Sequence, residues 1–305
     1  MQILTEHMSK ICLSFIFNHK YEKNICKLRQ IYKDRFSTIR YLSPFSTYND
    51  DQEVIPIYET SINFQGYIAQ AYKQLPKNCE YYIFCADDLL LNPELTENNI
   101  LDKLNCDSTS YIKYLNPIWE HSFAWHKFKE CNSYPNKDCN IKYLSLLPSR
   151  KQLLAKYEKF DYKYRNISLK NFKGIRDKTI NWDRISSGLK YLIKTKYKRH
   201  IQLPLIEGYS DFIIIPSRSL KSFCHYCGIF AAMNIWVDSA IATAMILSSE
   251  KITTEKDHSL KGTEFWNEED LKLKIESSKN KLDQIGKLFD NDEFYIHPIK
   301  LSKFT

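Results

Sequence analysis

The sequence predicts a mixed α/β protein in which a mostly parallel sheet is flanked by helices. In the first hundred residues, short apolar runs rich in β-formers alternate with segments whose apolar residues recur every three or four positions. The same alternation of strand and helix patterns returns after residue 204. Strand–helix–strand units place their strands parallel and their helices over the faces of the sheet. A parallel sheet covered on both faces is therefore the expected framework.

Length, composition and cysteine usage exclude several classes of protein. The chain has 305 residues, of which 43% are hydrophobic and 26% charged, with 7 Gly and 10 Pro, and this excludes a disordered or low-complexity protein. No apolar run approaches the roughly 18–20 residues that span a bilayer, and the N-terminus lacks the pattern of a secretory signal. Nine scattered cysteines indicate reduced, mostly buried thiols. Cys224 and Cys227 have no second pair for a zinc site. We therefore expect a cytoplasmic protein.

The predicted elements follow from the period of the apolar residues. In the first part of the chain we expect strands over 11–17, 37–42, 53–58 and from 81 to the acidic pair at 87–88, with Ser43-Pro44 ending the second of them, and helices over 21–35 and 61–75. In the last part we expect a strand over 211–216, helices over 219–233 and 236–247, a charged helical stretch over 263–288 and a closing apolar run over 294–300. Residues 106–199 show no clear period.

Polar residues stand at the points where three of the predicted strands end. Asn18 and His19 follow the first strand, Ser43 the second, and Asp87 and Asp88 the fourth. Because ligands of parallel α/β sheets bind at the carboxyl ends of the strands, these residues are expected to converge on one crevice. Asn18, His19, Ser43 and Asp87 are thus candidates for contacting a bound donor or cofactor.

The most informative pair is Asp87-Asp88. Two adjacent carboxylates directly after a buried strand are unfavourable unless a positive group compensates them, and Mg²⁺ or Mn²⁺ with phosphate oxygens would do so. A turn or helix-capping role is the alternative. Asp50-Asp51 and Asp290/Asp292 lie in polar surroundings without a preceding strand, so we expect those to be solvated surface acids.

The series of strands and helices that ends in Tyr82-Ile-Phe-Cys-Ala-Asp-Asp-Leu-Leu-Leu-Asn-Pro93 resembles the nucleotide-binding half of the GT-A glycosyltransferases. In that family an acidic motif of the Asp-x-Asp type follows the strand and binds a metal on the diphosphate of a sugar nucleotide. Here the motif reads Asp-Asp-Leu, which leaves open whether Asp87 or Asp88 is the direct ligand. The blocks Glu207–Phe212 and Gly228–Ala240 resemble bacterial enzymes that build capsule or lipopolysaccharide sugars. The resemblance covers about 11–100 and 204–302.

The C-terminal run Tyr295-Ile-His-Pro-Ile-Lys-Leu-Ser302 is similar to the His-bearing stretch that completes the metal site in several GT-A families. The resemblance implies that His297 is a third metal ligand beside Asp87 and Asp88, and imidazole nitrogen is a suitable donor. Lys300, three residues on, is a candidate for contacting a phosphate as a point charge. A histidine at the end of a surface strand is the alternative for His297.

An inverting transfer also requires a base that deprotonates the acceptor hydroxyl. Asp211 and Asp238 are the two main candidates, and Glu207 is a third. Asp211 begins a predicted strand that faces the same crevice. Asp238 lies in an otherwise apolar run, where a carboxylate needs a reason, although a helix N-cap would supply one.

The net charge of +8 is distributed unevenly. Residues 150–200 contain 16 Lys and Arg against 4 Asp and Glu, a net charge of +12, so the remaining residues carry −4. Tyrosines are interleaved with the basic residues of this segment. Such a segment favours contact with an anionic membrane, an acidic glycan or nucleic acid, and a solvated helix face is the alternative.

Together these features predict one GT-A catalytic domain over 1–305. Residues 1–105 would form the nucleotide-sugar half, 106–203 a variable, partly helical basic region facing the acceptor or a membrane, and 204–305 the acceptor half with the metal-binding tail. The expected activity is Mn²⁺- or Mg²⁺-dependent hexosyl transfer from a UDP-sugar to a surface-polysaccharide or lipid-linked glycan, at the inner face of the cell membrane. The rival hypotheses are a metal-dependent phosphatase or nuclease and a nucleic-acid-binding protein. We expect no nucleic-acid partner, because that function would leave Asp87 and Asp88 without a role.

Overall fold

The structure is a computed structural model that describes residues 10–47, 51–122, 142–173, 182–194, 200–201, 203–276 and 281–305. Its strands are β1 Ile11–Ile16, β2 Thr38–Pro44, β3 Val54–Ile57, β4 Tyr81–Ala86, β5 Leu90–Leu91, β6 Ser110–Ile112, β7 Leu115–Pro117, β8 Ile206–Gly208, β9 Phe212–Pro216, β10 Ile252–Thr253, β11 Lys261–Glu264 and β12 Glu293–His297. Its α-helices are α1 Asn24–Tyr32, α2 Phe64–Ala71, α3 Ile100–Lys103, α4 Arg150–Glu158, α5 Trp182–Lys194, α6 Ser217–Ala232, α7 Val237–Ser248 and α8 Glu268–Glu276. Short 3₁₀ turns lie between several of them.

Seven strands form the central sheet in the order β10-β6-β9-β4-β1-β2-β3. Strands β4, β1, β2 and β3 are parallel to one another, and β10 is parallel to β6. Strand β9 is antiparallel to both β4 and β6. The prediction of a mixed α/β fold with a mostly parallel sheet is therefore confirmed.

Both faces of the sheet are buried. Successive side chains of a strand point to opposite faces, so each strand contributes residues to two cores. Along β1, Cys12 and Ile16 belong to a core that also contains apolar residues of α2, α6 and α7. Leu13 and Phe15 belong to a second core on the other face, which includes Leu28 of α1. The two cores explain why the strands are continuous apolar runs rather than alternating ones.

A three-stranded sheet in the order β11-β12-β5 ties the end of the chain to the end of β4. Strand β5 begins two residues after Asp88 and pairs antiparallel with β12, with Leu90 opposite Ile296. Strand β11 pairs parallel with β12 on the other side. Beyond β12, the Ile299 amide donates to the Asp88 carbonyl at 2.6 Å. This pairing fixes the C-terminal tail beside the carboxyl edge of the central sheet.

Two element predictions were wrong. Strand β2 continues through Ser43 to Pro44, which lies opposite Ile57 at the end of the β3 ladder, where the missing N–H of proline costs little. The expected helical stretch over 263–288 is described at 263–276 and 281–288, and in those residues α8 is the only α-helix, because 261–264 form β11 and 282–288 form a 3₁₀ segment. Pairing with the distant β12 decides the conformation of β11, and no local pattern reveals such a partner.

In the described parts of the basic segment, 150–173 and 182–194, there are two α-helices. Helix α4 buries Leu153 and Tyr157 against the first core. Helix α5 packs against the 3₁₀ turn Leu169–Phe172. In the parts of the chain that are described, no helix combines the length and the apolar character needed to cross a bilayer.

Candidate functional site

Asp87 and Asp88 stand at the carboxyl end of β4, as the sequence predicts. Asp87 is only 5% exposed, and its Oδ1 accepts a hydrogen bond from the Asn18 amide at 3.3 Å. Burial, reinforced by the adjacent charge of Asp88, raises the pKa of Asp87 to about 7. The chain thus holds a carboxylate where ionisation is unfavourable without a nearby cation.

His297 contacts Asp88 although the two residues are 209 positions apart. The distance from His297 Nε2 to Asp88 Oδ1 is 3.1 Å. Burial opposes protonation of the imidazole, but the hydrogen bond with Asp88 and the charge of Asp211 outweigh it and raise the pKa of His297. The strand pairing of β12 with β5 positions the histidine, so the contact follows from the fold and not from a flexible surface side chain.

Tyr209, which was not predicted as a site residue, holds the other nitrogen of His297. Its hydroxyl lies 2.7 Å from His297 Nδ1. The Tyr209 ring stacks on Tyr295 with ring centroids 6.0 Å apart, and a Cβ at Gly262 would overlap the Tyr295 ring. Partners of this kind fix the orientation of a histidine that binds a metal. The contacts leave Nε2 directed at Asp88.

Asp211 reaches the same edge because β9 runs antiparallel to β4. The start of β9 therefore lies beside the end of β4, and the Ala86 amide donates to the Asp211 carbonyl at 2.9 Å. Burial raises the pKa of Asp211 to about 6, with further contributions from the charges of Asp238 and Asp88, against the opposing effect of His297. The sequence predicts the strand but not its direction.

Asp238 lies in the first turn of α7 and is held by two side chains. Ser210 Oγ donates to its Oδ1 at 2.7 Å and Trp236 Nε1 to its Oδ2 at 3.2 Å. The N-cap of α7 is Trp236, so the capping alternative for Asp238 is wrong. Asp238 is thus hydrogen-bonded to Ser210, the residue that precedes Asp211.

Glu207, the third candidate base, is engaged in a different set of contacts. It is 5% exposed, accepts from Asn116 Nδ2 at 3.2 Å and lies 3.4 Å from His121 Nε2. Asn116 lies opposite Glu207 in the antiparallel β7–β8 pair, and His121 ends the 3₁₀ turn that follows β7. The contacts of Glu207 are therefore with these two residues, and not with Asp87 or Asp88.

The predicted donor-binding residues are distributed unevenly around Asp87. Asn18 contacts it directly through its backbone. Ser43 is fully buried and donates to Glu22 Oε1 at 3.4 Å, whereas His19 is exposed and lies edge-on to the Tyr21 ring. Lys300 is exposed one residue beyond the Ile299–Asp88 hydrogen bond. The roles of these four residues remain predictions.

A partly buried group of charged residues lies next to Tyr209 and Tyr295. Lys113 Nζ is 2.6 Å from Glu264 Oε2 and 3.6 Å from Glu255 Oε2, and it donates to the Gly262 carbonyl at 2.6 Å. It also lies 5.8 Å from the centroid of the Tyr209 ring. This lysine compensates Glu264 and Glu255. Nothing in the spacing of Lys113 and Glu264 could have predicted the pair, because their contact depends on tertiary packing.

The donor set at the edge suits a hard divalent cation. Carboxylate oxygens are the preferred ligands of Mg²⁺ and Mn²⁺, and one imidazole is compatible with Mn²⁺. The buried carboxylate of Asp87 and the partly exposed carboxylate of Asp88 repel each other and fit such an ion. Within the described residues, no group of three or more His, Cys, Asp or Glu is already arranged to hold a metal. Of the three candidate metal ligands, Asp88 and His297 are the two whose side chains are already in contact.

The acidic residues that the sequence predicts to be solvated surface acids form ion pairs with neighbouring basic residues where the structure describes them. Asp51 forms an ion pair with Arg29 at 2.7 Å and caps the Glu53 amide, so it is not simply solvated. Asp290 and Asp292 pair with Lys274 and Lys261. Asp50 lies outside the described residues. Cys224 and Cys227 are buried in α6, in keeping with a packing role.

The solved structures that resemble this fold include, as examples, two weak similarities. The WbbM bifunctional glycosyltransferase in its apo structure is 11% identical, with a TM-score of 0.37; the alignment covers 97% of this chain and 46% of that protein, so the chain spans less than half of its length. Core-mannan synthase A (CmsA/Ktr4) from Aspergillus fumigatus, in a Mn/GDP form, is 10% identical with a TM-score of 0.36, covering 84% of this chain and 75% of that one. No family model and no curated protein matches the sequence. Similarities this low establish neither family nor activity.

Proposed function

We propose that the chain is a metal-dependent glycosyltransferase of the GT-A type. It would transfer a hexose from a UDP-sugar to a surface-polysaccharide or lipid-linked glycan acceptor. One observation carries the proposal. Asp88, at the carboxyl end of a parallel strand, and His297, from the far end of the chain, lie 3.1 Å apart beside the buried carboxylate of Asp87.

The proposed metal site consists of Asp87, Asp88 and His297, with Mn²⁺ or Mg²⁺. When bound, the ion would neutralise the charge that develops on the departing diphosphate. Asn18 would orient Asp87 through its amide, and Tyr209 would hold the imidazole of His297. His19, Ser43 and Lys300 are the proposed contacts for the nucleotide and its phosphates.

Asp211 and Asp238 are the proposed groups that accept the proton of the acceptor hydroxyl. Asp211 is the stronger candidate by basicity, because burial raises its pKa to about 6, closer to neutral pH than an ordinary aspartate. Asp238 is the stronger candidate by rigidity, because Ser210 and Trp236 hold both of its oxygens. Glu207 is the weakest of the three, since Asn116 and His121 already engage it.

The rival hypotheses are less well supported by this arrangement. A phosphatase or nuclease with an Asp pair would need a further acidic nucleophile or ligand beside the first strand, and β1 is followed by Asn18 and His19. A nucleic-acid-binding protein would use the basic segment and leave the buried carboxylates at the sheet edge without a role. The proposed setting is cytoplasmic, with the basic segment contacting an anionic membrane that carries the acceptor.

The test is a panel of nucleotide sugars assayed for slow donor hydrolysis and for thermal stabilisation, each with and without Mn²⁺. One sugar nucleotide should stabilise the chain only when the metal is present, and a ligand at 100 times its Kd adds about 2.7 kcal/mol. Hydrolysis of that donor should also require the metal. Stabilisation by single-stranded RNA, with none by any sugar nucleotide, would refute the proposal.

A further inference from the structure

Helix α5 carries an apolar stripe that is exposed to solvent. Trp182, Leu189 and Ile193 are 81%, 52% and 63% exposed. At 100° per residue, these positions fall within about 40° of each other around the helix axis. Single exposed apolar residues are ordinary at a protein surface, but a row of large ones on one helix face indicates a binding surface.

The opposite side of α5 is the side that packs on the protein. Gly188 is buried, and Tyr191 packs against the first core. The neighbouring 3₁₀ turn against which α5 lies carries Leu169, which is itself 82% exposed. The exposed apolar surface is therefore additional to the face that α5 needs for folding.

The stripe lies within the basic segment. Residues 150–200 carry a net charge of +12, and the rest of the chain carries −4. On α5 itself, Lys190 is exposed and lies about 80° around the helix from Trp182. Tryptophan and aliphatic residues on one face with lysines at its flank are typical of helices that lie in the plane of a membrane interface.

We propose that α5 docks on an anionic bilayer, with Trp182, Leu189 and Ile193 inserted at the boundary between headgroups and acyl chains. The basic residues of 150–173 and 182–193 would contact the anionic headgroups around them. A second copy of the chain fits less well, because a symmetric contact would bring two copies of a strongly basic segment together. Nucleic acid would use the charge but leave Leu189 and Ile193 in water.

Insertion predicts a salt dependence that charge alone does not. The electrostatic part amounts to about 1 kcal/mol for each basic residue near the surface and is screened by salt. The apolar part follows the buried area and is insensitive to screening. Vesicle binding should therefore fall with salt to a plateau and not to zero. If the proposed transferase function also holds, α5 would bring the active site to a lipid-linked acceptor, but membrane binding itself does not depend on that function.

The experiment is sedimentation of the full chain with vesicles of phosphatidylcholine alone or with added phosphatidylglycerol, at low and high salt, without donor or metal. The triple variant Trp182→Ser/Leu189→Ser/Ile193→Ser removes the stripe. Trp266→Ser is the matched control, because Trp266 is 85% exposed outside the basic segment. All four positions are exposed, so circular dichroism should be unchanged in both variants.

The wild type and Trp266→Ser should bind the anionic vesicles and retain part of that binding at about 0.5 M salt, where screening is strong. The triple variant should bind at least about tenfold more weakly at low salt and be released fully at high salt. Equal binding of the triple variant and the wild type, equal binding to neutral vesicles, or an equal loss in Trp266→Ser would overturn the proposal. Conversion of a wild-type dimer to a monomer by the triple substitution, with unchanged vesicle binding, would instead identify a second copy as the occupant.

Discussion

Two acidic clusters lie at the same sheet but are compensated differently. Asp51 and Glu53, beside β3, share Arg29, whose guanidinium lies 2.7 Å from an oxygen of each. Asp87 and Asp88, at the end of β4, have as their contacts a backbone amide and the imidazole of His297.

The difference is one of permanent charge. Arginine is always protonated, so the first cluster carries its own cation in every state of the protein. Histidine is neutral or charged depending on its surroundings, and the second cluster also adjoins Asp211. Partial burial acts to raise the pKa of Asp51, but the hydrogen bonds from Arg29 and the Glu53 amide and the charge of Arg29 together outweigh it and lower the pKa. The pKa of Asp87 is instead raised to about 7 by burial and by the charge of Asp88. The first cluster stabilises the fold; the second is suited to an external cation.

The largest effect that would test this contrast is expected for Asp88→Asn. Removing the carboxylate should lower metal-dependent donor hydrolysis at least about 100-fold, because charge stabilisation by a metal amounts to several kcal/mol. The free energy of unfolding should change little, since the substitution also relieves repulsion with Asp87. Activity and urea unfolding should be measured together.

The control for this prediction is Asp34→Asn, at an exposed position in the turn after α1. It should match the wild type in both measurements. If Asp88→Asn instead unfolded the protein and left the remaining folded fraction fully active, the β4 edge would be a structural cluster like that of Arg29.

The contrast also shows which parts of the site a sequence can predict. The strand before Asp87 is visible because a continuous apolar run ends in two acids, and Asp211 is visible as the start of another such run. The role of Tyr209 is not, because it depends on the β12–β5 pairing that brings His297 within reach. The contacts of a partly buried lysine such as Lys113 cannot be predicted either, since Glu255 and Glu264 lie in a 3₁₀ turn and a strand that are far away in the sequence.

The fold shows the same division. The pattern of hydrophobic residues predicted β1, β4 and α6 close to their observed bounds, because the buried positions of these elements are occupied by apolar residues that are visible in the local sequence. It failed for β11, which would be an exposed charged segment if β12 did not pair with it. The hydrophobic pattern also could not predict the direction of β9, because a buried strand has the same apolar pattern whether it is parallel or antiparallel to its neighbours.

A smaller effect is expected for His297→Ala. The Mn²⁺ concentration that gives half-maximal hydrolysis should rise about 10–100-fold, the scale on which disturbed metal surroundings act. Activity at saturating Mn²⁺ should be partly retained, since both carboxylates remain. An unchanged metal titration in His297→Ala, with Asp88→Asn inactive, would limit the site to carboxylates.

Tyr209→Phe should have an effect of the same kind but smaller. The ring and its stacking on Tyr295 are kept, and only the hydroxyl is lost, which contacts His297 Nδ1 and also the side chain of Asp211. As a positioning residue, Tyr209 should alter the metal titration by up to about tenfold while leaving the rate at saturating metal near that of the wild type. Loss of rate at saturating Mn²⁺ with an unchanged titration would show that Tyr209 acts on the substrate and not on His297.

The smallest effect is expected at the other cluster. Arg29→Met should leave the metal titration unchanged and lower the free energy of unfolding by about 0.5–1 kcal/mol, because the ion pair is more than one-third exposed on the arginine side. The pKa of Asp51 is lowered in the folded state, so its contribution is present above the ordinary aspartate value of 3.8 and is lost as the pH falls through the folded pKa. The free energies of unfolding of the wild type and Arg29→Met, measured with urea, should therefore differ at pH 7 and converge as the pH falls through the lowered pKa of Asp51. Lys33→Met, an exposed change one helical turn away, is the control. A shifted Mn²⁺ titration in Arg29→Met would mean that the two clusters are coupled, and their separation into a structural cluster and a metal-binding one would fail.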